Sequence, residues 1–480
     1  MKNPIRILAR LIRPLCTTTT AALILSTVSL TGTSPAVNVV TIGDSLTAEY
    51  ETVPDVPGFD SLPTDYAKIT VPGWESMSWV EVLGRMRGSY FNFGAVRGLT
   101  DSWGIPRFSG YEYNWGVPGV KAGQYEDFVT SSVFSNPLFF ALRQPLENQL
   151  ANKAQRVVIW LGGNDFRENY GRIYDGDSPA TLIDGLIDDL RKIIDFVRSQ
   201  TSTAQIVLAN VPDLGAAPTK KESQPDPAKR SRVTAATALA NTHIGQLAAQ
   251  KNVALADVYS QTLLLAEGVP FFFGGVEIVN DKNADNNLRW GFARDGLHPN
   301  TCLQIVNARI MIRAFNQFYG AGIPNITDSE ALAFLGIDPN QPFYDWLALH
   351  NISDKSFDGD GDGDGISQLV EFAFHLKPDV SDAAALPVKI KGSVPGFASD
   401  VSVKYRPELA RAHFLTVVVQ YSQDGVTWTR VPSTNVIANA DGSYTAAVPR
   451  TGGQPHLRLK VVTIPPSGSG ARFASFLQLR

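Results

Sequence analysis

The sequence predicts an α/β protein: a three-layer α/β/α sandwich on a five-stranded parallel sheet, followed by a connector and an all-β domain. Three observations predict it. Apolar, β-branched runs alternate with helical periodicity through the first 320 residues. Several of those runs are apolar without interruption, as in strands covered on both faces. Beyond about Leu386 the helical period gives way to short alternating runs separated by turn sequences.

Strands are expected at Asn38–Ile42 (NVVTI), Tyr90–Phe93, Arg156–Leu161 (RVVIWL), Gln205–Val211 and Val253–Val258. Helices are expected at Trp79–Arg87, Leu138–Lys153, Ala180–Ser199, Ala228–Lys251 and Leu303–Phe318, the third carrying Leu182, Leu186, Leu190, Ile193, Ile194 and Val197 at helical spacing. Five strands suit a flavodoxin-like sandwich. Gly322, Pro324 and Pro339 bracket the connector, where a short helix at Pro342–His350 precedes an Asp/Gly run at Asp358–Gly365. Phe414–Tyr421, Trp428–Val431 and Leu457–Ile464, with turns such as Gln423-Asp424-Gly425, are the expected strands of a β-sandwich-like domain. The chain thus divides into residues 1–36, 37–320, 321–384 and 385–480.

The first of those segments reads as a secretory signal peptide. Lys2, Arg6, Arg10 and Arg13 precede the uncharged run Leu15–Leu30, and small residues around Ala36 follow. The run is short and threonine-rich for a transmembrane helix, which takes about 20 apolar residues, so cleavage near Ala36 is preferred to an uncleaved anchor. The expected destination is secreted, periplasmic or at the cell surface. Over 480 residues, 42 Lys and Arg stand against 46 Asp and Glu; without the segment's four positive charges the net is −8. That balance lacks the clustered basic excess of a nucleic-acid binder. Cys302 would be the one cysteine of the mature chain, which excludes an internal disulfide.

The first strand ends in Gly43-Asp44-Ser45-Leu46. In open α/β sheets ligands bind outside the carboxyl ends of the strands, so Ser45 stands where chemistry is usually placed. A nucleophilic serine needs a base. Of the six histidines only His298 has a carboxylate three residues earlier, Asp295, in the Gly- and Pro-punctuated loop Arg294-Asp295-Gly296-Leu297-His298-Pro299. Such a loop lets Asp295 fix the imidazole tautomer while the ring faces Ser45. Acyl transfer also needs donors for an oxyanion. Gly162-Gly163-Asn164-Asp165 offers a side-chain amide after the third strand, and Asn114-Trp115-Gly116-Val117-Pro118-Gly119 offers a glycine N–H that a substrate can approach closely.

As a set, these four blocks resemble the SGNH hydrolases, the GDSL esterase/lipase family, over roughly Val37 to Tyr319. The resemblance implies a flavodoxin-like fold, Ser45 as nucleophile, His298 as general base and Asp295 as its orienting carboxylate. It implies an oxyanion hole made by the Ser45 N–H, the Gly119 N–H and the Asn164 side chain, and no cofactor for catalysis. Asn92-Phe93-Gly94, followed by Gly98, rivals the Gly119 block but spaces its glycines one residue too far apart. Extra aromatic-rich loops at Glu51–Trp74 and Leu99–Tyr113, with Phe271-Phe272-Phe273 and Trp290, are candidates for a cleft lining or for packing.

In the connector, Asp360-x-Asp362-x-Asp364-Gly365 with Glu371 fits the twelve-residue calcium loop: carboxylates at positions one, three, five and twelve, glycine at six, and the Ile366 carbonyl at seven. Starting at Asp358 would put Leu369 at position twelve, so only the Asp360 register closes the shell. The segment resembles thrombospondin type 3 and dockerin-like repeats, and structural Ca2+ is expected there. Together these readings describe an exported serine esterase acting on an ester substrate, with O-acyl groups on carbohydrate preferred over a lipid or simple carboxylester. The β domain would bind polysaccharide or the cell surface. The reading from another class is a non-catalytic polysaccharide-binding or adhesion protein.

Overall fold

The computed structural model describes residues 36–50, 76–97, 110–131, 137–282, 288–408, 414–463 and 474–479. The expected signal peptide, the Glu51–Trp74 loop and the Leu99–Tyr113 loop as far as Ser109 lie outside the described residues.

A five-stranded, all-parallel sheet organises the first part of the chain, in the order Asn114–Gly116, Val39–Gly43, Arg156–Trp160, Gln205–Ala209, Ala254–Ala256. Every residue of Val39–Gly43 and Arg156–Trp160 is buried, as uninterrupted apolar runs demand. Successive side chains leave a strand on opposite faces, and they feed two separate cores. Val39, Val158 and Trp160 join Trp79, Leu83 and Phe315 on one side; Val40, Ile42, Val157 and Ile159 join Leu186, Leu190, Ile194 and Leu247 on the other. Helices Trp79–Met86 and Thr301–Tyr319 therefore cover the first face, and Ala180–Gln200 and Pro227–Gln250 the second. In Ala180–Gln200 the buried stripe is Ile183, Leu186, Leu190, Ile193, Ile194 and Val197, and each such side chain stabilises by about 1.5–3 kcal/mol.

One expected strand is corrected. Tyr90–Phe93 contributes only an isolated parallel bridge, Asn92 to Asn38, and the fifth strand is Asn114–Gly116. The two share one edge: the Val39 N–H donates to Asn92 O (2.9 Å), whereas two residues on the Thr41 N–H donates to Tyr113 O (2.9 Å). Tyr113 N–H in turn donates to Phe93 O (2.8 Å), so the chain leaves the edge after Phe93 and rejoins it beside its point of departure. Phe271–Phe273 likewise forms a hairpin with Val276–Lys282, and Phe273 is fully buried in the core, so the phenylalanines pack.

The helix Asp328–Leu335 still belongs to the first core, through Ala331, Leu332 and Leu335. From Phe343 onward a third core begins. It joins Phe343 and Trp346 of helix Gln341–Leu349, and Phe372 of helix Gln368–Phe374, to Val403, Val419, Val448 and Val461 of the β strands. Those strands form two four-stranded antiparallel sheets: Val388–Lys391, Ser399–Tyr405, Tyr444–Pro449, Val436–Ala438, and Thr429–Arg430, Leu415–Ser422, His456–Thr463, Ala474–Leu479. The helix–loop–helix connector thus shares its core with the β strands.

Candidate active site

Ser45 sits one residue beyond the strand Val39–Gly43, in a tight turn where the Thr47 and Ala48 N–H groups both donate to Asp44 O (3.0 Å each). That turn rests on the neighbouring strand. Asn114 Nδ2 donates to Thr47 O (2.9 Å), its Oδ1 accepts the Thr41 hydroxyl and the Gly116 N–H (3.0 Å), and a Cβ on Gly116 would lie 2.5 Å from Ala48 N. Only glycine lets the two backbones come so close.

From the other end of the chain, the loop before helix Thr301–Tyr319 delivers the histidine. Asp295 Oδ1 accepts the Leu297 and His298 N–H groups (3.0 and 3.1 Å), curling the loop, while its Oδ2 lies 2.5 Å from His298 Nδ1. The curl is pinned by Ala293 N–H to His298 O (2.8 Å) and by the Thr219 hydroxyl to Asp295 O (2.5 Å). Asn300 caps the following helix, its Oδ1 accepting Thr301 N–H (2.8 Å) and the Ser76 hydroxyl (2.8 Å). The outcome is a chain of contacts: Ser45 Oγ to His298 Nε2 at 2.9 Å, then His298 Nδ1 to Asp295 Oδ2. His298 is 4% exposed, and burial pushes its imidazole well below the ordinary range, so the resting ring is a neutral acceptor toward the serine hydroxyl.

Asn164 is brought to the same edge. Gly162 adopts φ +108°, in the left-handed region, and turns the third strand directly into helix Gly163–Asp175; the sequence Gly-Gly-Asn-Asp is the start of a helix. In the resting site Asn164 Nδ2 donates to Val120 O (3.0 Å) and to Asp44 Oδ2 (3.3 Å), and Oδ1 accepts Arg167 Nη1 (3.3 Å). The amide therefore joins Asp44, the neighbour of Ser45, to the residue after Gly119, which is exposed and has φ +77°. Gly94 of the rival block is covered by Glu112, whose Cβ would be 2.6 Å from an added Cβ. Burial pushes the Asp44 carboxyl up to about 7, with Asp165 adding to the rise, so Asn164 Nδ2 faces a carboxyl that is only partly ionised near neutrality.

Beside Ser45 opens a cavity of about 70 Å³ whose wall includes Leu46, Leu214, Val258, Phe292, Leu297 and Leu303. Neither Phe271–Phe273 nor Trp290 lines it. Sequence reasoning missed this lining because its residues come from five separate segments, and missed Arg167 because a lone arginine one turn into a helix carries no signal.

Away from this edge, the acidic loop closes on itself. One carboxylate oxygen from each of Asp360, Asp362 and Asp364 lies within 4.8 Å of the others, and the same holds for Asp364, Glu371 and Asp382. Asp360 accepts the Gly363, Asp364 and Gly365 N–H groups (2.9–3.1 Å), and Ile366 is buried in the third core. Asp362 Oδ2 and both Glu371 carboxylate oxygens are buried without a hydrogen-bond partner. Burial and the surrounding aspartates push the Glu371 carboxyl up to about 8. Asp382 lies outside the twelve-residue pattern, where the motif offers no signal for it.

A model of the family described as GDSL-like lipase/acylhydrolase matches residues 39–304. Among solved structures, the chain is similar to a family 3 carbohydrate esterase of Clostridium thermocellum (17% identity, TM-score 0.30, covering 60% of this chain and 100% of that one). It is also similar to an extracellular lipase of Streptomyces rimosus (16%, 0.33, 58% and 100%) and a phospholipase A1 of Streptomyces albidoflavus (14%, 0.32, 58% and 99%). No curated protein matches the chain.

Proposed function

The chain belongs to the GDSL-like lipase/acylhydrolase family, and from that premise we propose that it is an exported serine esterase with Ser45 as nucleophile, His298 as general base and Asp295 as the carboxylate that orients it. The observation that carries this reading is the contact chain from Ser45 Oγ through His298 to Asp295 at the carboxyl edge of the sheet. Ser45 Oγ attacks the ester carbonyl carbon as His298 Nε2 takes its proton. Asp295 Oδ2 accepts the Nδ1–H and stabilises the imidazolium so formed. The oxyanion is met by the Ser45 and Gly119 N–H groups and by Asn164 Nδ2, which gives up Val120 O or Asp44 Oδ2 as charge develops. Collapse expels the alcohol with the proton from His298, and water, deprotonated by the same ring, releases the acid.

The cavity beside Ser45 supports a short acyl group. Its volume of about 70 Å³ is roughly half that of a cavity that accepts benzene. A small acyl group and a bulky alcohol left outside suit O-acyl groups on carbohydrate better than long-chain lipid, and an exported protein with a β module that binds polysaccharide or the cell surface would meet such a substrate. The acidic loop holds structural Ca2+ through Asp360, Asp362, Asp364, the Ile366 carbonyl and Glu371. Its unpartnered buried oxygens fit a hard cation, which supplies charge compensation and takes no part in ester cleavage.

A fluorophosphonate probe tests the nucleophile. It should label the wild type at Ser45 and leave Ser45→Ala and His298→Ala unlabelled, with both variants folded and nearly devoid of esterase activity. Triad members act as one unit, so the double variant should be little worse than either single one. A folded wild type that is not labelled would favour the adhesion reading. On p-nitrophenyl esters, rates should fall steeply beyond butyrate, and acetylated polysaccharide should be deacetylated; preference for long chains would favour the lipid reading.

A further inference from the structure

The calcium loop does not supply its whole shell. At position nine stands Gln368, fully buried, whose side-chain amide donates to the Asp354 and Ser356 carbonyls (3.1 and 2.9 Å) and is thereby spent on the backbone just ahead of the loop. A carboxylate from beyond the loop stands by instead. Asp382 Oδ1 is buried and without a hydrogen-bond partner, in the same condition as Asp362 Oδ2 and both oxygens of the fully buried Glu371. Four orphaned oxygens on three residues, with Asp364 between them, meet no donor among the described residues. A cation that takes six to eight oxygen ligands meets them together, whereas Mg2+ would demand a near-ideal octahedron and retain its own waters.

Asp382 is also held in place by its backbone. Asp364 Oδ2 accepts the N–H groups of Asp382 (3.0 Å) and Ala383 (2.8 Å), so protein hydrogen bonds latch the acidic loop to the Asp382 turn. The turn Ala383–Ala385 follows at once, and then the edge strand Val388–Lys391, paired with Ser399–Tyr405.

We propose that Asp382 is a calcium ligand supplied from outside the twelve-residue loop, so that the ion clasps the entry of the β module to helix Gln368–Phe374. This rests on the calcium reading of the Asp360–Glu371 loop. An ion held by the loop alone would order only the loop; one held also by Asp382 orders the chain into the first β strand.

The test uses the full chain, stripped of metal, titrated with Ca2+ by calorimetry and with Tb3+ by sensitised luminescence. Wild type should bind one ion. Asp382→Asn, nearly isosteric, should weaken Ca2+ binding by about tenfold or more, as a lost charged ligand does. Asp379→Asn removes the same charge from a neighbour that pairs with His350 (2.9 Å), and should leave affinity within about twofold. Equal effects of the two variants, or no effect of Asp382→Asn while Glu371→Gln weakens binding, would overturn the role of Asp382 and leave the loop reading intact. No ion bound by wild type would sink the loop reading itself. Amide exchange needs no variant: Ca2+ should slow exchange at Asp382–Val388 together with the loop, and slowing confined to residues 360–371 would overturn the clasp.

Discussion

Replacing Gly116 by alanine tests whether the Ser45 turn is set by the strand beneath it. The new Cβ would fall 2.5 Å from Ala48 N and 2.7 Å from Thr47 C, against about 3.4 Å for ordinary contact, so something must move by about 0.9 Å. Both obstacles are backbone atoms of the turn that carries Ser45, and that turn is tied to Asn114 by Nδ2 to Thr47 O. Side chains cannot swing aside to absorb the strain. A misplacement of about 1 Å in a reacting group costs roughly 10²-fold in rate, about 2.7 kcal/mol of activation free energy. We expect Gly116→Ala to lower kcat/KM for p-nitrophenyl acetate about 10²-fold and to slow fluorophosphonate labelling of Ser45 in parallel. Overpacking should cost about 1–3 kcal/mol of stability, leaving a folded protein by circular dichroism. Activity and labelling within threefold of wild type would refute the reasoning, because the three-residue edge strand, rather than the serine turn, would then have yielded.

Asn164→Ala should lower kcat about 10²–10³-fold, the loss of one oxyanion donor, with KM changed less because the charge exists only in the transition state; an unchanged kcat would leave Asn164 as a tie between Asp44 and Val120. Burial depresses the His298 pKa, so below the unfolded imidazole value of about 6.5 the unfolded chain binds a proton that the fold does not, and stability falls as pH falls through that window. The melting temperature of wild type should therefore drop relative to His298→Gln between pH 7 and pH 5, and a gap independent of pH would refute the buried neutral ring. If the proposed calcium is bound, chelation should expose the Asp360–Glu371 segment to proteolysis while initial ester hydrolysis persists, since an ion that binds the folded chain and not the unfolded one stabilises by about 2.7 kcal/mol at a hundredfold excess over Kd. Immediate loss of catalysis without unfolding would place the metal in the active site.

Where pattern and tertiary demand coincide, the elements were legible. Four of the five strands and the long helices followed from apolar period alone, and the Asp295–His298 spacing pointed to a loop that curls as its aspartate turn requires. The fifth strand was not legible: Tyr90–Phe93 has the aromatic residues strands favour, yet the edge is completed by Asn114-Trp115-Gly116, whose glycine lies against the serine turn, a tertiary contact that local pattern does not carry. Asn164 was found as a residue but not as the start of a helix, because Gly162-Gly163 reads locally as a turn and only the left-handed Gly162 reveals the junction. Asp382 escaped because its significance lies in a partner eleven residues away across a turn, which no local motif encodes.

The broken edge has a further consequence. Because Phe93 O and Tyr113 N are a single hydrogen bond apart, the excursion between them begins and ends at nearly one point, and its returning limb docks on the chain just past the nucleophile through Tyr111 N–H to Glu49 Oε1 (2.7 Å). Closing such an excursion costs only about 0.6 kcal/mol more for each doubling of its length. The two limbs therefore form a socket: Val96–Arg97 pairs with Gly110–Tyr111, so a change of length between Arg97 and Gly110 should leave the order and register of the parallel sheet as they are. Length and sequence can thus vary between those two limbs separately from the strand that carries Ser45, which makes this edge the place to graft a new segment.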